Sequence, residues 1–62
     1  MSIENDTKVR HTRGFLQRTG WTQGVPSHGF VRKVLNATYA RVQWVGNPHE
    51  TTVCLVNLEE AP

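Results

Sequence analysis

Residues 39–45, YARVQWV, alternate along the chain, and this pattern constrains the fold more than any other segment does. One side carries small and apolar residues and the other carries mainly polar ones: Ala40, Val42 and Trp44 against Tyr39, Arg41, Gln43 and Val45. Successive side chains of a β-strand point to opposite faces of the sheet. The pattern therefore predicts a strand whose first set, including Trp44, lies in a hydrophobic core.

Other segments have the composition of strands, because they are rich in β-branched and aromatic side chains or alternate around one of them. They are residues 7–12 (TKVRHT), 30–35 (FVRKVL) and 51–56 (TTVCLV). Residues 36–38 and 46–50 contain the Asn, Gly and Pro that favour turns. Residues 57–60, NLEE, are interpreted as a brief helical turn or as the start of a final strand.

Two segments depart from this regular pattern. Residues 13–29 contain four glycines and Pro26, so they are predicted to form a long Gly-rich loop, and no helix of useful length is expected anywhere. In residues 30–35, Val31 and Val34 are both expected to face inward, which breaks the alternation. A β-bulge near Arg32 and Lys33 would reconcile them.

The order of these segments resembles the SH3-like barrel group, which includes KOW and Tudor-type modules. Gly29 precedes the inward residue Val31, and a final run matches the pattern that closes such barrels: Val53, Leu55 and Leu58. The resemblance implies an all-β SH3-like barrel of four to five short antiparallel strands over residues 7–60. Residues 1–6 are expected to form a flexible N-terminal tail.

Length and cysteine content narrow the class of protein further. A chain of 62 residues makes at most one domain, and its stability margin is thin. The sequence therefore does not decide between a monomer and a homo-oligomer. Cys54 is the only cysteine, which excludes a disulfide within one chain and favours a reducing, cytoplasmic location. No apolar run reaches the roughly 20 residues of a membrane span, so no membrane partner is expected.

Charge is segregated along the chain far more than the net charge of +2 indicates. All five acidic residues lie before Thr7 or after His49, whereas all seven Lys and Arg residues lie between these positions. A soluble surface usually mixes both signs. The segregation predicts an anionic partner, most simply the phosphate backbone of a nucleic acid.

The predicted site is a basic strand face that consists of Lys8, Arg10, Arg32, Lys33, Tyr39, Arg41 and Gln43. Cationic side chains neutralise phosphates and release counterions, and Tyr39 offers a ring on which a base can stack. KOW-like modules commonly contact RNA, ribosomes or RNA polymerase. We therefore expect a non-catalytic module that binds DNA or RNA or associates with nucleoprotein.

The alternative is a protein–protein adaptor. In that interpretation the Gly-rich loop, with Trp21 and Pro26, lines a groove for an acidic or extended peptide, and Arg18 and Trp21 form a possible loop site. Trp21 either takes part in such a site or covers the small core. A Tudor-like aromatic cage for methylated side chains is disfavoured, because residues 8–48 contain no acid to attract a cationic ligand.

Catalysis, metal binding and cofactors are not expected. The three histidines and the cysteine lack the spacing of a metal site and are expected to be solvent-facing imidazoles and a packing thiol: His11, His28, His49 and Cys54. Ser27 beside His28 has no nearby acid to orient the imidazole. The fold also resembles plasmid-borne type II dihydrofolate reductases, but residues 52–55 read TVCL where those enzymes carry Val-Gln-Ile-Tyr.

Overall fold

The computed structural model describes residues 3–62, which form one antiparallel sheet of five strands, one short helix and one 3-10 helical turn. The elements in chain order are β1 (Lys8–His11), α1 (Arg13–Thr19), β2 (Gly29–Val34), β3 (Tyr39–Trp44), β4 (Glu50–Cys54), the 3-10 turn (Leu55–Asn57) and β5 (Leu58–Glu60). The strand order is β4-β3-β2-β1-β5, so β4 and β5 are the edges of the sheet. The prediction of a small, mainly antiparallel β domain is confirmed.

The core lies on one face of this sheet and follows the predicted alternation. It consists of Val9, Val31, Ala40, Val42, Trp44 and Leu58. In β3 the alternation places Trp44 inward with only 6% of its surface exposed, as the sequence predicts. Burial of apolar surface is the main favourable term in folding, so these few side chains carry most of the stability of the domain.

The predicted bulge in β2 is present. Val31 pairs with Val42, and Lys33 pairs with Arg41, so Arg32 is the extra residue between them. Val31 is buried, whereas both Arg32 and Lys33 are exposed. The bulge therefore turns two consecutive cationic side chains toward solvent.

The prediction of a loop without a helix over residues 13–29 is wrong in its first half, where α1 forms. The hydroxyl oxygen of Thr12 accepts a hydrogen bond from the Phe15 amide at 3.2 Å, which caps the helix N-terminus. Gly20 ends the helix with a φ of 68°, a left-handed conformation that favours glycine. These two caps outweigh the low helix propensity of Gly14.

Residues 3–6 lie against β2. The Asp6 amide donates to the Val31 carbonyl oxygen at 2.7 Å, and the Val34 amide donates to Oδ1 of Asn5 at 3.0 Å. Ile3 packs against the core. The flexibility predicted for residues 1–6 stays a prediction, and residues 1 and 2 lie outside the described residues.

The C-terminal part divides differently from the predicted strand 51–56. β4 ends at Cys54, the 3-10 turn follows, and β5 then pairs with β1. Residues 57–60 thus combine both interpretations of NLEE, the end of a helical turn and a final strand. No helix within residues 3–62 has the length and apolar character needed to cross a membrane.

Candidate nucleic-acid interface and aromatic cleft

Five of the predicted site residues lie together on the outward surface of β2 and β3. We call this surface the outer basic face; it comprises Arg32, Lys33, Tyr39, Arg41 and Gln43. Gln43 is half-buried and the other four side chains are exposed. Lys33 lies directly opposite Arg41 across the two strands, and the bulge adds Arg32 beside them. Three cationic groups are therefore neighbours on one surface.

The contacts of the outer basic face include one acid. Nε of Arg32 donates to Oε1 of Gln43 at 2.9 Å, which links the guanidinium group to β3. Arg41 lies 3.8 Å from a carboxylate oxygen of Glu50, and both side chains are solvent-exposed. An exposed ion pair of this kind contributes at most about 1 kcal/mol, so it leaves Arg41 free to exchange its partner for a phosphate.

Lys8 and Arg10 lie on β1, the strand next to β2, where Lys8 is opposite Phe30, and both side chains contact the C-terminal segment. Nζ of Lys8 donates to the carbonyl oxygen of Pro62 at 3.0 Å, and Arg10 forms an ion pair with Glu59 at 3.3 Å. The pairing of β1 with β5 brings this acid next to Arg10. Acidic residues that are remote from the Lys and Arg residues in sequence are thus adjacent to some of them in space. The two signs of charge are therefore less segregated in the fold than along the chain.

A second surface, which the sequence did not predict as a whole, is a concave cleft of about 500 Å³. We call it the aromatic cleft, after the four rings that line it: His11, Phe15, Trp21 and Trp44. They come from β1, α1, the segment after α1 and β3. Their sequence separation is the reason that local patterns gave no signal for the cleft.

The His11 ring is stacked between two aromatic rings. Its centroid lies 4.1 Å from that of Trp44 and 4.9 Å from that of Phe15, with interplanar angles of 19° and 17°. Trp21 contacts the same imidazole at 5.1 Å with a tilt of 58°. Offset or tilted aromatic pairs of this kind stabilise beyond the area that they bury.

His11 is buried, so the expectation that all three histidines face solvent is wrong for this one. Only 8% of its surface is exposed, and neither ring nitrogen has a hydrogen-bond partner among the described residues. Burial lowers the pKa of His11 below its ordinary value of 6.5, because desolvation disfavours the imidazolium ion. The alternation of inward and outward side chains in β1 would have indicated this burial, because His11 lies two residues after the buried Val9.

Trp21 and Arg18, the predicted loop site, both lie at the aromatic cleft. The indole Nε1 of Trp21 donates to the Gln23 carbonyl oxygen at 2.7 Å, which fixes the ring while 37% of its surface stays exposed. Arg18 donates to Oδ1 of Asn57 at 2.9 Å, and Asn57 lines the cleft. Trp21 therefore contacts the buried His11 and lines the cleft, and Arg18 lies at its rim.

The lining of the aromatic cleft is uncharged. Its polar side chains include Asn47, Thr51 and Asn57, and no Asp, Glu, Lys or Arg is among the described residues that line it. Within the same part of the chain, no three His, Cys, Asp or Glu side chains converge as metal ligands would. The cleft suits a neutral, flat or apolar group with a few hydrogen-bonding atoms.

The two surfaces meet at the turn between β3 and β4. Residues 45–47 border the aromatic cleft on one side and, on the other, a shallow depression formed with Phe30, Arg32 and Gln43. A cationic surface and an uncharged cleft thus lie side by side.

Comparisons with protein-family models, curated proteins and solved structures found no match to this chain.

Proposed function

We propose that this chain is a small SH3-like barrel that binds nucleic acid, without catalysis, through its outer basic face. The fold assignment is supported by the strand order β4-β3-β2-β1-β5, the long connection after β1 and the 3-10 turn before the last strand. The functional assignment is supported by the arrangement of charge on β2 and β3.

The observation that carries the proposal is the register pair of Lys33 and Arg41, with Arg32 beside it. Like charges directly opposite each other destabilise a sheet. A neutral or acidic residue at one of these positions would make the sheet more stable. The exposed pair of Arg41 with Glu50 offsets this repulsion only weakly. A bound phosphate would remove more of it and release counterions, so the cluster is more favourable in a complex than in the free protein.

Tyr39 and Gln43 extend the same surface toward bases. The Tyr39 ring is 45% exposed at the start of β3, where it can stack on an unpaired base. Contacts to phosphate position a protein on a nucleic acid but do not read its sequence. We therefore expect weak sequence preference.

A second candidate is the adaptor, and the aromatic cleft is the observation that favours it. Trp21 and Pro26 both line the cleft, as that interpretation requires. An extended peptide with an apolar side chain would fit the uncharged lining. An acidic peptide would find its cations outside the lining, in Arg18 at the rim and in Arg32 across the turn at residues 45–47.

The test is a salt series. Single- and double-stranded DNA and RNA of about ten nucleotides, within the usual site sizes, are titrated with the protein at several salt concentrations. Neutralisation of phosphate should make log K fall with log salt by about 0.9 per contact on duplex DNA and about 0.7 on single strands. Lys33→Gln should weaken binding to all sequences and flatten that slope by nearly one contact.

The matched control is Arg10→Gln, which removes the same charge from a residue that is paired with Glu59. It should change the slope by much less than Lys33→Gln does. Absence of binding to every nucleic acid at low salt would overturn the proposal. Equal effects of the two substitutions would show that net charge, and not the outer basic face, determines binding.

A further inference from the structure

We propose that the aromatic cleft holds one unpaired base of a single-stranded nucleic acid whose phosphates lie on the outer basic face. This inference rests on the proposed function and makes it more specific. It assigns the protein a preference for single strands, because a base inside a duplex cannot enter the cleft.

The shape and lining of the cleft fit a base. Its volume of about 500 Å³ lies within the range of small-molecule sites. The Trp21 ring is partly exposed and held by its bond to Gln23, so it is a preorganised platform for stacking. Stacking on an aromatic side chain needs no charge, in keeping with the uncharged lining.

His11 brings buried polar atoms without a protein partner to the wall of the cleft. More than nine-tenths of its surface is buried, it lines the cleft, and both ring nitrogens are without partners among the described residues. Buried polar groups are nearly always hydrogen-bonded. A neutral imidazole has one N–H donor and one acceptor nitrogen, and the edge of a base offers groups that complement either. Both nitrogens are covered in the free protein, so this bond requires the rings around His11 to shift when the base enters.

The charges around the cleft distinguish a base from an uncharged peptide. Arg18 lies at the rim through its bond to Asn57, and Arg32 lies across the turn at residues 45–47. A nucleotide carries phosphates on both sides of its base, so both guanidinium groups would have partners. An uncharged peptide would gain nothing from either.

The path from the face to the cleft is short. Residues 45–47 border both the depression that contains Arg32 and the aromatic cleft. The Val45 amide donates to the His28 carbonyl oxygen at 3.1 Å, which ties this turn to the end of the long connection. A strand that lies on the outer basic face would cross this turn, beside Arg32, to bring a base into the cleft that Trp21 lines.

The experiment measures tryptophan fluorescence and affinity together. A ten-nucleotide single strand, its duplex and a strand of the same length with abasic sites are titrated into the wild-type protein. The normal strand should quench the fluorescence of Trp21 by stacking, whereas the duplex and the abasic strand should bind with little quenching.

Two variants localise the effect. Trp21→Ala should weaken binding of the single strand by at least about fivefold, with the duplex affinity and the salt slope unchanged. His11→Phe keeps the aromatic stack and removes the ring nitrogens, so it should weaken the single strand alone. Leu35→Ala removes an exposed apolar side chain outside the cleft and should have no effect.

The outcomes separate the two proposals. If single strands bind with a normal salt slope but neither quench Trp21 nor respond to Trp21→Ala and His11→Phe, the cleft assignment is wrong and the proposed function stands. If no nucleic acid binds at low salt, both are wrong. If an apolar or acidic peptide binds the cleft and a single strand does not displace it, the cleft belongs to a protein partner and the inference is overturned.

Discussion

The outer basic face and the aromatic cleft share one turn, yet they are constructed in different ways. The face consists of side chains from two neighbouring strands, and its members lie within residues 32–43. The cleft joins rings from β1, α1, the segment after α1 and β3. A surface made by local alternation should tolerate substitution, whereas one made by tertiary packing should be sensitive to any change in the core. Substitutions in the two surfaces should therefore differ in their effect on stability.

The largest effect is expected for Trp44→Ala, because Trp44 belongs both to the core and to the aromatic cleft. It is 6% exposed, and its Nε1 donates to the Thr51 hydroxyl at 3.0 Å. Truncation of a buried large aromatic costs about 3–5 kcal/mol, which is most of the stability of a small domain. Urea denaturation followed by circular dichroism should show an unfolded or barely folded chain. Trp21→Ala should be milder; the reverse order would contradict the assigned core.

A smaller loss is expected for Gly29→Ala. A Cβ at this position would lie 2.8 Å from the Gln43 carbonyl oxygen and 2.8 Å from Cε3 of Trp44. Such overpacking typically costs about 1–3 kcal/mol, and here it would displace the ring at the base of the cleft. The control is Gly14→Ala in α1, where the nearest atom is the flexible end of Arg18 at 3.3 Å. A denaturation midpoint that falls for the first and not for the second is expected.

His11 makes the stability of the cleft depend on pH. Burial holds its folded-state pKa below the ordinary value of 6.5, so the unfolded chain takes up a proton more readily. Stability should therefore be full above about pH 6.5 and should fall as the pH drops through the folded-state pKa. The charged side chains that border the other side of the ring are Arg10, Arg13 and Glu59.

His11→Phe tests this dependence. It should remove the loss below pH 6.5 and should leave stability at pH 7 equal or higher by about 1–3 kcal/mol, since two unsatisfied nitrogens disappear. Denaturation midpoints across pH 5–8 measure both effects. His49→Gln, which removes an exposed imidazole, controls for the loss of a histidine. An unchanged pH profile in His11→Phe would refute this role of the ring.

The smallest effect on stability is expected on the outer basic face. Lys33→Gln removes the repulsion of Lys33 by Arg41 and should stabilise the fold by a few tenths of a kcal/mol. The measurement is the denaturation midpoint at low salt, where charge repulsion is screened least. A gain in stability together with weaker nucleic-acid binding is the combination expected of a functional residue. A loss of stability would show that Lys33 supports the fold instead.

The sequence predicted the strands β2 and β3 well, and the segment that connects β1 to β2 poorly. Alternation identified the core position of Trp44, and the paired valines in β2 indicated the bulge at Arg32. The helix α1 was missed because the density of glycines outweighed two local signals, the Thr12 cap and Gly20. This error lies where the overall composition of a segment and its individual capping residues point to different structures.

The ion pairs and the aromatic cleft could not be predicted from local patterns, because they depend on which strands pair and on how the elements pack. Glu50 and Glu59 approach Arg41 and Arg10 only because β4 and β5 pair with β3 and β1. The aromatic cleft likewise requires β1 and α1 to pack beside the β3–β4 turn. Charge along the chain therefore predicted the sign of the surface but not the extent of the site.

The most direct test of the central claim, that one strand contacts both surfaces, is a titration followed by nuclear magnetic resonance. The full chain, labelled with ¹⁵N, is mixed with a ten-nucleotide single strand at low salt. The backbone amides of Arg32, Lys33 and Arg41 and the indole N–H of Trp21 should shift together with one saturation curve, while the amides of Arg10 and Glu59 change little. Saturation that moves the β2–β3 amides without the Trp21 indole, or that moves neither, would contradict the account.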